Sequence, residues 1–338
     1  MRDELTIIAS GDAGRIEAAA VDAAIRAAGA PVDCRTELLE VWRGTAMTDA
    51  AMTAAAVAAL RSVGRAVVVP APAAPRLRAL PVQLGLWTSF TPRRGMALTP
   101  RGQRVRFDLR LVRDHHDDHG RAPEFDAPPP WLPTRLAAEM SADTAVAVSS
   151  RSPARTERLL TAVCHDALAT GRHTVTVVHK GNAFKCTDGV LYQAAQRFAA
   201  SPDWAALRIQ TRIVDNMCAE LAQRPEAYDV VVGPALYGDM LDAIITGLRT
   251  TPEPVGQVWR GDGTAVYAGR SAAQPAVATL GSFRAAACCL ADLGHHGPAG
   301  RLDRAVRAAA ADAARLDPSQ AIRAVEAQLS LDHDEEDV

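Results

Sequence analysis

Short apolar runs and longer amphipathic stretches alternate along this chain, and their order sets the first expectations. "ELTIIAS" (4–10) reads as a strand, followed by a glycine turn and a helix from about Arg15 to Ala28. "DAAMTAAAVAALRSVG" (49–64) has helical spacing, and "RAVVVPAPA" (65–73) reads as a second buried strand closed by proline. From Thr91 to Pro133 the text turns basic, then acidic and histidine-rich, then proline-rich. That stretch predicts loop and edge strand, with "APPPWLP" extended as polyproline II. "DTAVAVSS" (143–150) predicts a strand, and "SPARTERLLTAVCHDALATG" a helix capped by Ser152 with Pro153 in its first position. "TVTVV" (174–178) is a buried strand, leading into His179, Lys180, Gly181 and Asn182 and an amphipathic stretch, Val190 to Phe198. "TRIVDNMCAELAQRP" predicts a helix ended by Pro225, "YDVVVGP" a buried strand, and "GDMLDAIITGL", "AAACCLADLG" and "RLDRAVRAAAADAARL" further helices. The acidic tail "LDHDEEDV" is expected to fray. Strand–helix–strand alternation of this kind predicts a parallel sheet covered by helices.

Composition narrows the function classes. A chain of 338 residues with 48% hydrophobic and 22% charged residues has room for two ordinary domains or one large one. Its formal charge of -2 gives no global pull toward nucleic acid or an anionic membrane. "MRDELTIIAS" lacks the make-up of a secretory signal, and no apolar run reaches the length of a membrane span. The 6 cysteines include no CxxC pair, which argues against structural zinc. Cys288 and Cys289 read as plain buried thiols in a reducing, cytoplasmic setting. His115, His116 and His119 with Asp117 and Asp118 read as solvated loop rather than a metal site. Gly11 and Gly14 do not complete a dinucleotide fingerprint.

Lys180 and Asn182 follow directly on a buried strand, and in open α/β sheets that edge is where ligands bind. Together with "IIASGDAG", with "RIVDNMCAELAQRPEAYDVVVGPALYGDMLDAI" and with "AAACCLADLG", the segment "TVTVVHKGNAFKCTDG" resembles the β-decarboxylating dehydrogenases. That family includes the isocitrate, isopropylmalate, homoisocitrate and tartrate/malate enzymes. The resemblance implies a two-domain α/β fold of the isocitrate/isopropylmalate dehydrogenase type, with parallel or mixed sheets flanked by helices. A large domain would take 1–95 and 250–338, and a smaller central domain, 96–249, would carry the dimer interface.

Site residues follow from the same resemblance. Asp215, Asp239 and Asp242 would hold Mg²⁺ or Mn²⁺, since a hard cation takes oxygen ligands. Asp239 would open its helix with Asp242 one turn on, and Asp215 would serve the partner subunit's site. Lys180 would relay a proton at the substrate hydroxyl, and Asn182 would orient the reacting groups, also across the dimer. Arg110, with Arg101 nearby, would grip a carboxylate of a small anionic substrate by a bidentate fork. Without the family, Asp239 reads as a helix-end charge and Asp215 and Lys180 as surface charges.

Departures from the family pattern shape the functional expectation. Its second metal aspartate falls on Ala243, its acid tyrosine has no counterpart between Arg113 and Asp143, and its nucleotide loop is replaced by "VYAGRSAAQPAVATLGSF". There Tyr267 stands where the family has histidine, and Ala278 stands near the expected asparagine. Use of NAD or NADP as in the relatives is therefore not expected. Three functions stay open. The first is a divergent Mg²⁺-dependent enzyme with altered chemistry, redox-neutral or not, on a malate-type or other anion. The second is a non-catalytic or regulatory subunit, in a homodimer or a hetero-oligomer with a paralogue. The third is a conventional oxidative decarboxylase with an unusual nucleotide loop.

Overall fold

The protein is described as a computed structural model over residues 3–39, 57–69, 83–117, 122–251, 253–270 and 272–336. It divides into two compact units, the first Met1–Leu98, Gly102–Arg110 and Arg249–Val338, the second Thr99–Arg101 and Leu111–Leu248. Both are mixed α/β, built on mostly parallel sheet flanked by helices.

In the first unit the strands are β1 (Asp3–Ser10), β2 (Val32–Leu39), β3 (Arg65–Val69), β4 (Thr88–Leu98), β5 (Arg104–Asp114, leaving the unit after Arg110), β11 (Gly256–Arg260) and β12 (Ala265–Gly269). They lie in the order β2-β1-β3-β12-β11-β4-β5. β1 runs parallel to β2 and β3, and β12 parallel to β3, whereas β11 is antiparallel to β12 and β4. Helix α1 (Gly11–Ala27) follows β1 directly, turning on Gly11 at φ 66, and buries Ala18, Val21, Ala24 and Ile25 at helical spacing.

The central helix of this unit is Pro275–Asp292, apolar nearly all round and correspondingly buried. Two strands approach it as closely as backbone allows. A β-carbon at Gly256 would stand 2.6 Å from Ala285 N, and one at Gly269 would stand 2.7 Å from Ser282 N. Tyr267, expected in an open nucleotide loop, is a fully buried residue of β12 whose hydroxyl donates to Asp292 Oδ2 at 2.8 Å. Ala278 is inside the helix rather than in a loop. Of the tail expected to fray, residues 331–336 continue the helix Pro318–Glu336, and 337–338 lie outside the described residues. Of the segment 49–64, residues 57–63 are helical, and the rest of that expected helix lies outside the described residues.

In the second unit β10 (Val230–Pro234), β8 (Thr174–His179) and β9 (Arg208–Ile213) are parallel neighbours, with the last residues of β5 beside β10. Helices α2 (Pro153–Ala169), α3 (Asp188–Ala200), α4 (Val214–Gln223) and α5 (Ala235–Leu248) connect and flank them. Ser152 caps α2 by accepting from Arg155 N, with Pro153 in the first turn, as its sequence predicts. A small antiparallel pair, β6 (Glu124–Phe125) and β7 (Val146–Ala147), is all the strand that "DTAVAVSS" forms.

The basic stretch read as loop and edge strand holds the long strands β4 and β5. Its arginines hid a period of two, in which Arg104, Arg106, Asp108 and Arg110 alternate with Phe107, Leu109 and Leu111. Thr211 to Ile213, read as helix, belongs to β9, because β-branched residues suit a strand and the chain turns helical only at Val214. In the described part of the acidic–histidine stretch, His115 is 8% exposed and Asp117 6%, so these two are not solvated; Asp118 and His119 lie outside the described residues. Arg151 donates to Asp114 Oδ2 at 2.9 Å and to Asp117 O at 2.7 Å, while Arg155 pairs with Asp117 at 3.0 Å. Burial lowers the pKa of His116 as well. Charge runs stay buried when each charge meets a fixed partner.

Candidate functional site

Lys180 leaves β8 held by its own backbone. Its N–H donates to Asp188 Oδ2 at 2.6 Å, and the Tyr237 hydroxyl donates to the same oxygen at 3.0 Å. Asp188 is wholly buried at the start of α3, where a carboxylate also meets the positive end of the helix dipole. The turn closes as Ala183 N and Phe184 N both donate to Lys180 O at 2.9 Å. Gly181 N donates to His179 Nδ1 at 3.0 Å, which requires the neutral ring with its proton on Nε2. Burial lowers the His179 pKa and so favours the same neutral form. None of this scaffold is visible in Lys180 alone. Asp188 and Tyr237 are site residues that sequence reasoning missed.

The Lys180 side chain, 24% exposed, forms an ion pair with Asp215 in the first turn of α4, itself 62% exposed. Asn182 lies in the turn, exposed. Lys180, Asn182 and Asp215 thus share the face beyond the carboxyl ends of β8 and β9.

The other acidic pair is organised by Arg113, an arginine of the same crowded segment as Arg110, the one the resemblance singles out. Arg113 at the end of β5 is 4% exposed, its Nε donating to Asp239 Oδ1 at 3.0 Å and its Nη2 to Asp242 Oδ2 at 2.8 Å. Asp242 is fully buried and Asp239 is 71% exposed, so the fork reaches from the interior to the surface of α5. Burial lowers the Arg113 pKa, opposed by the neighbouring Asp239 carboxylate. Asp239 does not open its helix; α5 starts at Ala235, immediately after Pro234 ends β10. Arg110, on the opposite face of β5 from Arg113, belongs to the first unit, and Arg101 donates to Gln223 Oε1 at 3.3 Å. Period-two spacing in β5 was the available signal: Arg113 shares a face with the buried Phe107, Leu109 and Leu111, and Arg110 does not.

A divalent cation at Asp239 and Asp242 fits this arrangement poorly within one chain. It would have to displace a buried guanidinium from both carboxylates at a large desolvation cost. Among the described residues no group of three or more His, Cys, Asp or Glu side chains is placed to hold a metal ion. Among the same residues, no helix is long and apolar enough to cross a membrane.

Comparison with known proteins gives the family of the chain. A family model described as isocitrate/isopropylmalate dehydrogenase matches residues 48–251. The chain is similar to a mitochondrial regulatory subunit of the NAD isocitrate dehydrogenase of Dictyostelium discoideum, 31% identical over 163 residues, or 45% of this chain and 44% of that protein. It is 32% identical over 176 residues to the isocitrate/homoisocitrate dehydrogenase of Thermus thermophilus, covering 48% of this chain and 50% of that one. The beta subunit of the human NAD isocitrate dehydrogenase is 36% identical over 95 residues, 28% of this chain and 24% of that one. The chain therefore spans between 24% and 50% of the lengths of these relatives. The crystal structure of isocitrate dehydrogenase from Methylococcus capsulatus superposes with a TM-score of 0.74 at 20% identity, over 97% of this chain and 99% of that one. At that identity the likeness speaks to the fold.

Proposed function

The chain belongs to the isocitrate/isopropylmalate dehydrogenase family, and on that premise we propose that it is a non-catalytic subunit completing the active site of a partner chain. The observation that carries this reading is the Arg113 fork, which occupies Asp239 and Asp242 together. Lys180 and Asp215, by contrast, are paired to each other at the surface and open to a neighbour. The family resemblance assigns Lys180, Asn182 and Asp215 to the neighbour's site, and these are the residues the chain keeps. Its own acidic pair is neutralised from within. A relative named as a regulatory subunit supports the reading. Ala243, where the family has a metal aspartate, points the same way.

In such an assembly Lys180 supplies a positioned ammonium beside the partner's anionic substrate, and Asp215 holds that ammonium until substrate arrives. The buried Asp188 keeps the lysine backbone in register. The partner is a catalytic paralogue, because a second copy of this chain would bring the same closed acidic pair.

The test is an assay with isocitrate, isopropylmalate, malate and tartrate, each with NAD or NADP and Mg²⁺. The chain alone is expected to be inactive. Mixed with a catalytic isocitrate dehydrogenase chain from the same source, it should change that chain's turnover, and Lys180→Ala should abolish the change. Mg²⁺-dependent turnover by the chain alone would overturn the proposal in favour of a metal-dependent enzyme.

A further inference from the structure

A cavity of about 500 Å³ in the first unit is lined by Arg94, Arg106, Arg249, Arg284 and Arg307, against only Asp108 and Glu253 among acidic residues. Two of these guanidiniums are deeply buried, Arg249 at 7% exposed and Arg284 at 4%, and both lean on Glu253. Arg249 Nη1 lies 2.8 Å from Oε2 and Arg284 Nη1 lies 2.7 Å from Oε1. Arg93, also buried, reaches the same Oε2 at 3.7 Å. Asp303 is similarly shared, at 3.1 Å from Arg284 Nε, 3.4 Å from Arg307 and 3.5 Å from Arg94. Asp108 takes Arg94 Nε at 2.8 Å. Arg106 is exposed and makes no ion pair among the described residues. Arginine charge here exceeds carboxylate charge.

Two further observations concern Arg249 within this excess. Arg249 Nε is buried yet donates to no acceptor among the described residues. An unmet buried donor is costly, and a ligand oxygen would meet it. Next to it stands Gly95, at φ 152, where a β-carbon would lie 3.2 Å from Arg249 Nε and 3.5 Å from Nη2. Glycine keeps that edge of the guanidinium clear. Burial lowers the Arg249 pKa to about 10; Glu253 opposes the shift, while Arg93 and Arg284 add to it.

We propose that this cavity binds a small multivalent oxyanion, carrying carboxylate or phosphate groups, on the guanidiniums of Arg249, Arg284 and Arg106. Planar guanidinium forks suit both group types, since each presents paired N–H donors to two oxygens. The wall formed by Phe107, Val306 and Ala310 is apolar and favours an anion with a carbon backbone. The site uses first-unit residues only and needs neither Lys180 nor Arg113.

The test is titration calorimetry on the full chain in chloride-free buffer, with pyrophosphate and with tricarballylate as separate probes. Saturable one-to-one binding of at least one probe is expected, and the tighter of the two identifies the phosphate or carboxylate source. Arg106→Glu and Ala311→Glu alter exposed positions at the cavity, outside the buried ion network. Each should weaken binding by at least about tenfold by inverting or adding a charge facing the anion. Arg249→Met should abolish it, and circular dichroism checks that this variant folds. No saturable heat with either probe, or affinity unchanged in both surface variants, would overturn the proposal.

Discussion

Gly238 lies directly beneath Arg113: a β-carbon built on it would stand 2.7 Å from Arg113 Cγ and 3.2 Å from Nε. The absent side chain is what lets the guanidinium cross α5 and reach Asp239 and Asp242. Gly238→Ala forces the arginine stem aside, although alanine suits a helix better than glycine. Overpacking of this kind costs about 1–3 kcal/mol. Urea unfolding should therefore show a lower midpoint with an unchanged slope; a raised midpoint would mean that helix propensity decides at this position.

Removing the arginine itself is more severe. Arg113→Met leaves Asp242, 0% exposed, as a buried carboxylate without its fork. Breaking one partner of such a pair costs about 3–5 kcal/mol. The double variant Arg113→Met/Asp242→Leu removes both charges and should recover most of the loss. A double variant no more stable than Arg113→Met in chemical denaturation would contradict this account.

The Lys180–Asp215 pair should behave oppositely. At 24% and 62% exposed, its charges remain largely hydrated, and such pairs contribute about 0–1 kcal/mol. Asp215→Asn should leave the melting temperature within about 4 °C of wild type, by the usual scaling of about 2–4 °C per kcal/mol in larger domains. Its effect belongs in the mixed-subunit assay instead. A large stability loss would assign Asp215 a structural role.

Asp188 predicts a local effect. It accepts from Lys180 N and the Tyr237 hydroxyl while fully buried. Asp188→Asn removes the charge from these bonds, worth about 1.5–3 kcal/mol for a hydrogen bond to a charged group. Hydrogen exchange at the Lys180 amide should accelerate well beyond exchange at Val177, deeper in β8. Equal protection at both positions in the variant would rule this anchoring out.

Glu17 sets a pH dependence. On α1 it is 6% exposed, and Thr279 Oγ1 donates to it at 3.3 Å. Burial raises its pKa from 4.5 to about 7, with the nearby Ser282 hydroxyl and the Thr279 hydrogen bond opposing. The folded state therefore holds a proton that the unfolded chain releases, and stability falls as pH climbs from 4.5 to about 7. A shift of that size corresponds to about 3 kcal/mol, fully lost above the folded-state value. Glu17→Gln should flatten this slope, matching wild type near pH 4 and exceeding it at pH 8. Parallel pH profiles for the two proteins would show that Glu17 is not the titrating group.

Local sequence determined a good part of the architecture. The buried run of β8, the strand "YDVVVGP", the Ser152–Pro153 helix start and the helix over "AAACCLADLG" are all legible, because apolar period, cap chemistry and proline act within a few residues. The family was legible for the same reason, since Lys180, Asn182, Asp215 and Asp239 sit in segments of recognisable local spacing. β4 and β5 were obscured, their alternation masked by arginines that find partners far along the chain, such as Arg113 with Asp239 and Arg94 with Asp303. Which arginine meets the acids is a question of strand face and of the space left by Gly238, and both are settled only when β5 and α5 are packed together. The same holds for Tyr267, which local text placed in a loop and tertiary packing placed against Asp292 in the core. Short-range pattern determines elements; the pairing of buried charges is long-range, since its energy depends on desolvation and partner geometry that no single segment contains.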